Sequence, residues 1–278
     1  MLKNEGFDYD SSLPQAYFRS LLSFLIARRD LIAIFVQRDL QVRHRRSILG
    51  LVWSLLNPLL SSLVLWFVFV NIFNAKLANG VSFAPYVLAG VLLITFFSQG
   101  FLQAADSIAS GVDILQKVYV KPEIFAVSSS ISSAINFIFG LIALVFVNLL
   151  VGDNLSPFIP MTVFVIISMM FLITGLGLMT AILFFKFNDT RNIINILVQL
   201  LAYLTPVFYP RDILGKNVER VISLNPLSSY LDIFRSVFTE SGIATTFDWL
   251  YMSGSAFGSL FLGIFIFNRY WSKTVVML

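Results

Sequence analysis

The chain has 278 residues, 58% of them hydrophobic and 12% charged, with a net charge of +4 and a mean hydropathy of +0.85. Soluble domains carry about 25% charged residues, so a water-soluble core is excluded and lipid is the solvent for most of the chain. The absence of cysteine excludes disulfides, thiolate metal sites and thiol nucleophiles, and the single histidine, His44, has no second histidine to pair with.

The opening residues, MLKNEGFDYD, lack the basic start, apolar core and cleavage site of a signal peptide, so a retained, cytoplasmic N-terminus is expected. In residues 15–37 the apolar positions Phe18, Leu21, Leu25, Ile32 and Phe35 recur at helical spacing, with Arg19, Ser23, Asp30 and Gln37 off that stripe. This pattern predicts an amphipathic interfacial helix lying flat on the cytoplasmic surface. It serves as an orientation anchor or as a slide for a membrane-bound substrate; periodicity does not separate the two. Next comes RDLQVRHRRSILGLVWSLLNPLL, 38–60, in which Arg38, Arg43, Arg45 and Arg46 crowd the start of an apolar run. Such a cluster stops a span from sliding and attracts anionic inner-leaflet lipid, at about 1 kcal/mol per charge.

Uncharged stretches then occur at 47–75, 77–105, 124–152, 154–185, 192–210 and 249–268. Each suits one crossing of a membrane by a helix of about 20 apolar residues. The expected fold is therefore all-α and integral to the membrane, with six transmembrane helices at about 48–74, 84–105, 127–152, 158–185, 192–210 and 249–268. With segment 1–46 inside, the inner segments 1–46, 106–123, 186–191 and 269–278 hold 14 of the 19 Lys and Arg. That bias places both the N-terminal segment 1–46 and the tail 269–278 in the cytoplasm. The same placement gives the basic residues an explanation in lipid, so no nucleic-acid partner is expected.

The spans contain amides, among them Asn57, Asn71, Gln99, Gln103, Asn136, Asn148, Asn195 and Gln199, but no ionisable side chain well inside. An ion-coupled carrier ordinarily holds its ion with such a group, although carbonyls and amides can hold sodium. No H-E-x-x-H, G-x-S-x-G or phosphate-cradling G-x-x-x-x-G-K-[ST] run is present, so if ATP drives the protein another subunit binds it. Asn57-Pro58, Pro206 and Pro210 are expected to kink or end their helices. GSAFG, 254–258, places Gly254 and Gly258 four apart with Ser255 and Ser259 beside them, expected to let a helix of this chain approach closely, a dimer seam being the alternative. Segment 211–248 is too polar to span, yet Leu227, Tyr230, Leu231, Phe234 and Phe238 keep helical spacing. Short re-entrant helices are expected there between spans five and six, the second starting at Asn225-Pro226.

The run RDLQVRHRRSILGLVWSLLNPLL, the stretch LNPLSSYLDIFRSVF at 224–238 and PVFYP at 206–210 resemble, in that order, ABC-2 type permeases. Among these the chain is most similar to exporters of lipid-linked polysaccharide of O-antigen, teichoic-acid or capsule type. The resemblance implies a homodimer bound to two copies of a separate ABC ATPase, in a bacterial cytoplasmic membrane. ATP and magnesium would belong to that partner, with no cofactor bound by this chain and no catalysis of its own. The substrate implied is a glycan on an undecaprenyl-pyrophosphate-type lipid, whose headgroup would meet a collar of Arg28, Arg29, Arg38, Arg43, Arg45 and Arg46. Guanidinium forks suit phosphate oxygens. Trp53, Trp66, Phe67, Phe69, Tyr203, Phe208 and Tyr209 are candidates to line the glycan channel by stacking on sugar faces; interfacial anchoring explains such rings equally well.

The segment 106–126 between spans two and three is implied to couple to the ATPase through Asp113, Gln116, Lys117, Tyr119, Lys121 and Glu123. Its KVYVKP sets the proline one position later than in many relatives, and KFNDTR, 186–191, is implied as a secondary contact. An outer gate of Asn225, Pro226, Tyr230 and Phe234 completes the implied machinery. A smaller lipid or drug as cargo, an ion-coupled carrier and a membrane enzyme of glycan assembly are the alternatives.

Overall fold

A computed structural model describes residues 27–43, 52–68, 71, 82–118, 120–152, 155–187, 189–209, 211, 214–238 and 244–275. Among these residues every regular element is a helix: α1 (Arg29–Arg43), α2 (Val52–Phe67), α3 (Phe83–Ser110), α4 (Val112–Leu115), α5 (Glu123–Val151), α6 (Thr162–Lys186), α7 (Thr190–Leu204), α8 (Lys216–Ser223), α9 (Pro226–Phe238) and α10 (Thr246–Val275). A 3-10 turn at Ile159–Met161 leads into α6. In lipid each backbone N–H and C=O must be satisfied within its own segment, which an apolar sequence achieves as a helix.

Among the described residues four segments are long and apolar enough to cross a membrane: Phe83–Ser110, Glu123–Val151, Ile159–Lys186 and Thr246–Trp271. The described helices at the expected first and fifth spans, α2 and α7, have 16 and 15 residues. At 1.5 Å per residue these reach about 22–24 Å, short of the ~30 Å hydrocarbon core. Pro58 lies inside α2 without ending it, whereas α7 stops at Leu204, two residues before Pro206.

The core is built by α3, α5, α6 and the short α9, with α10 packed along α6. Between lipid-immersed helices, dispersion and close fit replace the hydrophobic effect, so the smallest residues set the closest approach. A Cβ on Gly175 would overlap the Ser259 carbonyl, and one on Gly263 would overlap the Gly175 carbonyl, so α6 and α10 touch backbone to backbone. The expectation for GSAFG is corrected here: Gly254 and Gly258 have open space where a Cβ would stand. They lie on the outward face of α10, so within this chain the approach is made by Ser259, the neighbour of that motif, and by Gly263. At the far end of α5, Gly152 takes φ 83° and donates its N–H to the Asn148 carbonyl, closing the helix in a left-handed turn.

Of the interfacial helix expected at 15–37, the described part is α1, which runs on to Arg43; residues 15–26, with Phe18, Leu21 and Leu25, lie outside the described residues. Phe35 and Val36 are buried, and Phe35 meets Phe125 of α5 at 4.7 Å between ring centroids. Residues 211–248 carry the two short helices α8 and α9, and α9 starts at Pro226 as the sequence suggests.

Candidate functional site

Two neighbouring cavities share Gln103. The first, of about 350 Å³, lies between α2, α3 and α5 and is lined by Trp53 and Asn57, by Thr95, Gln99 and Gln103, and by Ser133 and Asn136, with Leu92, Phe96 and Phe137 as apolar walls. Helical periodicity places these groups together: 53 and 57, 95, 99 and 103, and 133 and 136 stand three or four apart, so each set shares one helix face. Ser133 donates to the Gln103 side-chain oxygen at 3.2 Å. The lining carries amides and hydroxyls but no ionisable side chain, so it offers exchangeable donors and acceptors and no group that takes up a proton. Among the described residues no cluster of three potential metal ligands occurs anywhere.

The second cavity, of about 640 Å³, opens where the basic segments converge. Arg38 and Asp39 of α1, Asp106, Ser107 and Ser110 of α3, Ser129 of α5, and Arg191 and Asn195 of α7 line it. Arg38 grips Asp39 through Nε and one terminal nitrogen at 3.1 and 2.8 Å, and its guanidinium lies 5.1 Å from the Phe35 ring centroid. Ser129 donates to the other Asp39 oxygen at 3.1 Å, which ties α1 to α5. Across the cavity Arg191 is ion-paired with Asp106.

Of the six collar arginines, Arg38 alone lines this cavity among the described residues. Arg28 and Arg29 are exposed near the start of α1, Arg43 ends the helix, and Arg45 and Arg46 lie outside the described residues. Arg191 joins Arg38 instead. The sequence reading assigned KFNDTR only to a docking contact, and the proximity of residues 38, 106 and 191 has no local signature. The amide track was equally missed as a site; its signal was the i, i+4 spacing of Gln99 and Gln103.

Among the described residues Trp53 is the one channel candidate lining the first cavity. Trp66, Phe67 and Tyr203 face outward, Phe208 and Tyr209 are half-buried, and Phe69 lies outside the described residues. Tyr209 donates to the Tyr203 carbonyl at 3.4 Å and accepts at its own carbonyl from Tyr86 at 3.3 Å. Between α3 and α5, Asp113, Gln116 and Lys117 are exposed, Lys121 is half-buried and Glu123 is buried, while Tyr119 lies outside the described residues.

At the opposite end the four gate candidates sit in dense packing. Asn225 caps α9 by accepting from Leu227 N at 3.1 Å, with Pro226 as the first helical residue, and its amide donates to Thr205 Oγ1 at 2.9 Å. Tyr230 is fully buried and donates to the carbonyls of Ser168 and Met252 at 3.1 and 3.3 Å. Phe234 is fully buried beside Phe137 and Phe238. The residue that joins these elements is Arg235, 2% exposed, which donates to the carbonyls of Pro206, Val207 and Tyr86 at 2.9, 2.8 and 3.1 Å. Its guanidinium also lies 3.4 Å from the Tyr86 ring centroid. Nearby, Arg211 and Asp232 form an ion pair at 2.6 Å.

Residues 30–239 match the sequence profile of the family described as ABC-2 type transporter. The chain is 23% identical over 247 residues to the O-antigen export system permease protein RfbA of Klebsiella pneumoniae, covering 86% of this chain and 92% of that protein. It is 26% identical over 222 residues to RfbA of Myxococcus xanthus, covering 79% and 84%. Similarity also extends to the polysialic acid transport protein KpsM of Escherichia coli, 20% identical over 238 residues and covering 85% and 91%.

Proposed function

The chain belongs to the ABC-2 type transporter family, and from that premise we propose that it is the membrane permease of an exporter carrying a lipid-linked polysaccharide, O-antigen in type, out of the cytoplasm. The observation that carries this reading is the uncharged amide and hydroxyl track of Asn57, Gln99, Gln103, Ser133 and Asn136, set within an apolar bundle. A glycan in transit must exchange hydrogen bonds at every step without being trapped. Neutral amides and hydroxyls allow that exchange, and Trp53, Phe96 and Phe137 offer apolar contact to sugar faces. A proton-driven carrier would place an ionisable group at this position, and the lining has none.

Six spans with both terminal segments in the cytoplasm, and a homodimer joined to two ABC ATPase copies, complete the proposed assembly. The outward aromatic and apolar residues of α2 and α7 support a second copy beside these two helices. The exposed Asp113, Gln116 and Lys117 support docking of the ATPase on the segment between α3 and α5, with ATP and magnesium bound there by the partner. The arginines of α1 would receive the diphosphate headgroup of the carrier lipid.

The test is a deletion strain of the host, scored for surface polysaccharide and for lipid-linked glycan retained inside. Loss at the surface with accumulation inside, both restored by the intact gene, supports the reading. Unchanged surface polysaccharide overturns it. Co-purification of a stoichiometric ATPase with the tagged chain tests the proposed partner independently.

A further inference from the structure

Resting on that export reading, we infer that the 640 Å³ cavity between α1, α3, α5 and α7 is a masked diphosphate site, with Arg191 as its principal ligand and Asp106 as the group that the ligand displaces. Two guanidinium groups from elements far apart in sequence, Arg38 of α1 and Arg191 of α7, line one cavity. Ser107, Ser110, Ser129, Gln103 and Asn195 surround them with further hydrogen-bonding groups. Planar forks of this kind bind phosphate oxygens two at a time.

Both arginines are already partnered by carboxylates, Arg38 by Asp39 and Arg191 by Asp106, so the lining is charge-balanced among the described residues. An anion gains nothing there by general attraction and binds only by exchange. The two pairs are not equally open to it. Asp39 is fixed from two sides, by Arg38 and by the Ser129 hydroxyl, and its side chain is 14% exposed. Asp106 and Arg191 are 39% and 49% exposed at their side chains, and a half-exposed ion pair contributes little net stability. A diphosphate carries more charge and more acceptor oxygens than one carboxylate, so it competes for Arg191 while a singly charged anion does not.

Exchange has a mechanical consequence. Asp106 stands near the end of α3 and Arg191 near the start of α7, so their pair ties the two helices together. α7 otherwise buries a single residue, Val198. Occupation of Arg191 by a ligand releases that tie and frees the start of α7 to move. Substrate arrival is thereby linked to the loop that joins α6 to α7.

The measurement is calorimetric titration of the purified full chain in detergent with farnesyl diphosphate, inorganic pyrophosphate and farnesyl monophosphate. Farnesyl diphosphate is expected to bind the unaltered chain more tightly than the monophosphate. Arg191→Gln is expected to weaken the diphosphate by about tenfold, the loss of one charge-assisted pair. Asp106→Asn is expected to tighten it several-fold, a gain that a misfolded variant cannot produce. Arg269→Gln, which alters a basic residue outside the cavity, leaves binding unchanged. Equal binding of inorganic pyrophosphate, with the same response to both variants, supports the site and identifies a free diphosphate rather than a lipid headgroup as its ligand. Wild-type affinity in Arg191→Gln, no gain in Asp106→Asn, or no diphosphate binding by the unaltered chain overturns the inference. Each of these outcomes leaves the export reading to the surface-polysaccharide assay, which scores it separately.

Discussion

Replacing Arg235 by methionine removes a guanidinium that joins three parts of the fold: α9, the turn after α7 and the start of α3. Three carbonyls, of Pro206, Val207 and Tyr86, lose their donor at once. Hydrogen bonds to a charged group contribute about 1.5–3 kcal/mol each, and a buried carbonyl left unmet costs on the order of 1–3 kcal/mol. Methionine restores part of the packing over the Tyr86 ring. The net loss expected is therefore about 3–5 kcal/mol, the usual range when one member of a buried charged set is removed. At about 2–4 °C per kcal/mol for a chain of this size, the melting temperature should fall by about 6–20 °C. The assay is thermal unfolding of the purified protein in detergent, followed by intrinsic fluorescence. Arg235→Lys keeps the charge but replaces the planar fork with a single ammonium, and should lie between the two. Arg220→Met, on an exposed position of α8, serves as the control and should melt with the unaltered chain. An R235M protein within roughly 2 °C of wild type would refute the reasoning, because the three carbonyls would then be satisfied without the arginine.

Three further outcomes can be checked. Gly175→Ala places a methyl against the Ser259 carbonyl, so overpacking of about 1–3 kcal/mol outweighs the ~1 kcal/mol that alanine gains in a helix. Gly258→Ala meets open space and should be neutral or more stable by up to about 1 kcal/mol, so only the Gly175→Ala melting curve should shift downward. Asn225→Ala loses the cap on Leu227 N and the bond to Thr205, and should cost about 1–2 kcal/mol in the same assay. Gln99→Leu and Asn136→Leu keep volume but strip the groove of exchangeable groups. They should lower surface polysaccharide several-fold while leaving the melting temperature near wild type; normal surface display would show that the track is not the glycan's path.

Much of the protein is legible without coordinates, because lipid imposes its requirements locally. Twenty uncharged residues in a row favour a helix, charge is kept out of the long apolar helices, and Asn225-Pro226 starts a helix because the Asn225 side chain caps its first turn. These rules act within a few residues, so the all-helical class, the four long apolar helices and the start of α9 at Pro226 follow from the sequence. Which helix faces touch is a different matter. GSAFG has the form of a packing motif, yet Gly175 and Gly263 make the close approach, since rotation of α10 about its axis is set by all its neighbours together. Arg235 reads as one more outer positive charge, and only the tertiary fold brings the carbonyls of residues 86, 206 and 207 to its guanidinium. Arg38, Asp106 and Arg191 meet for the same reason: groups separated by 68 and 85 positions along the chain share a cavity only once α1, α3 and α7 have packed. Sequence spacing records neighbours along one helix, and contact between helices is a sum over the whole bundle.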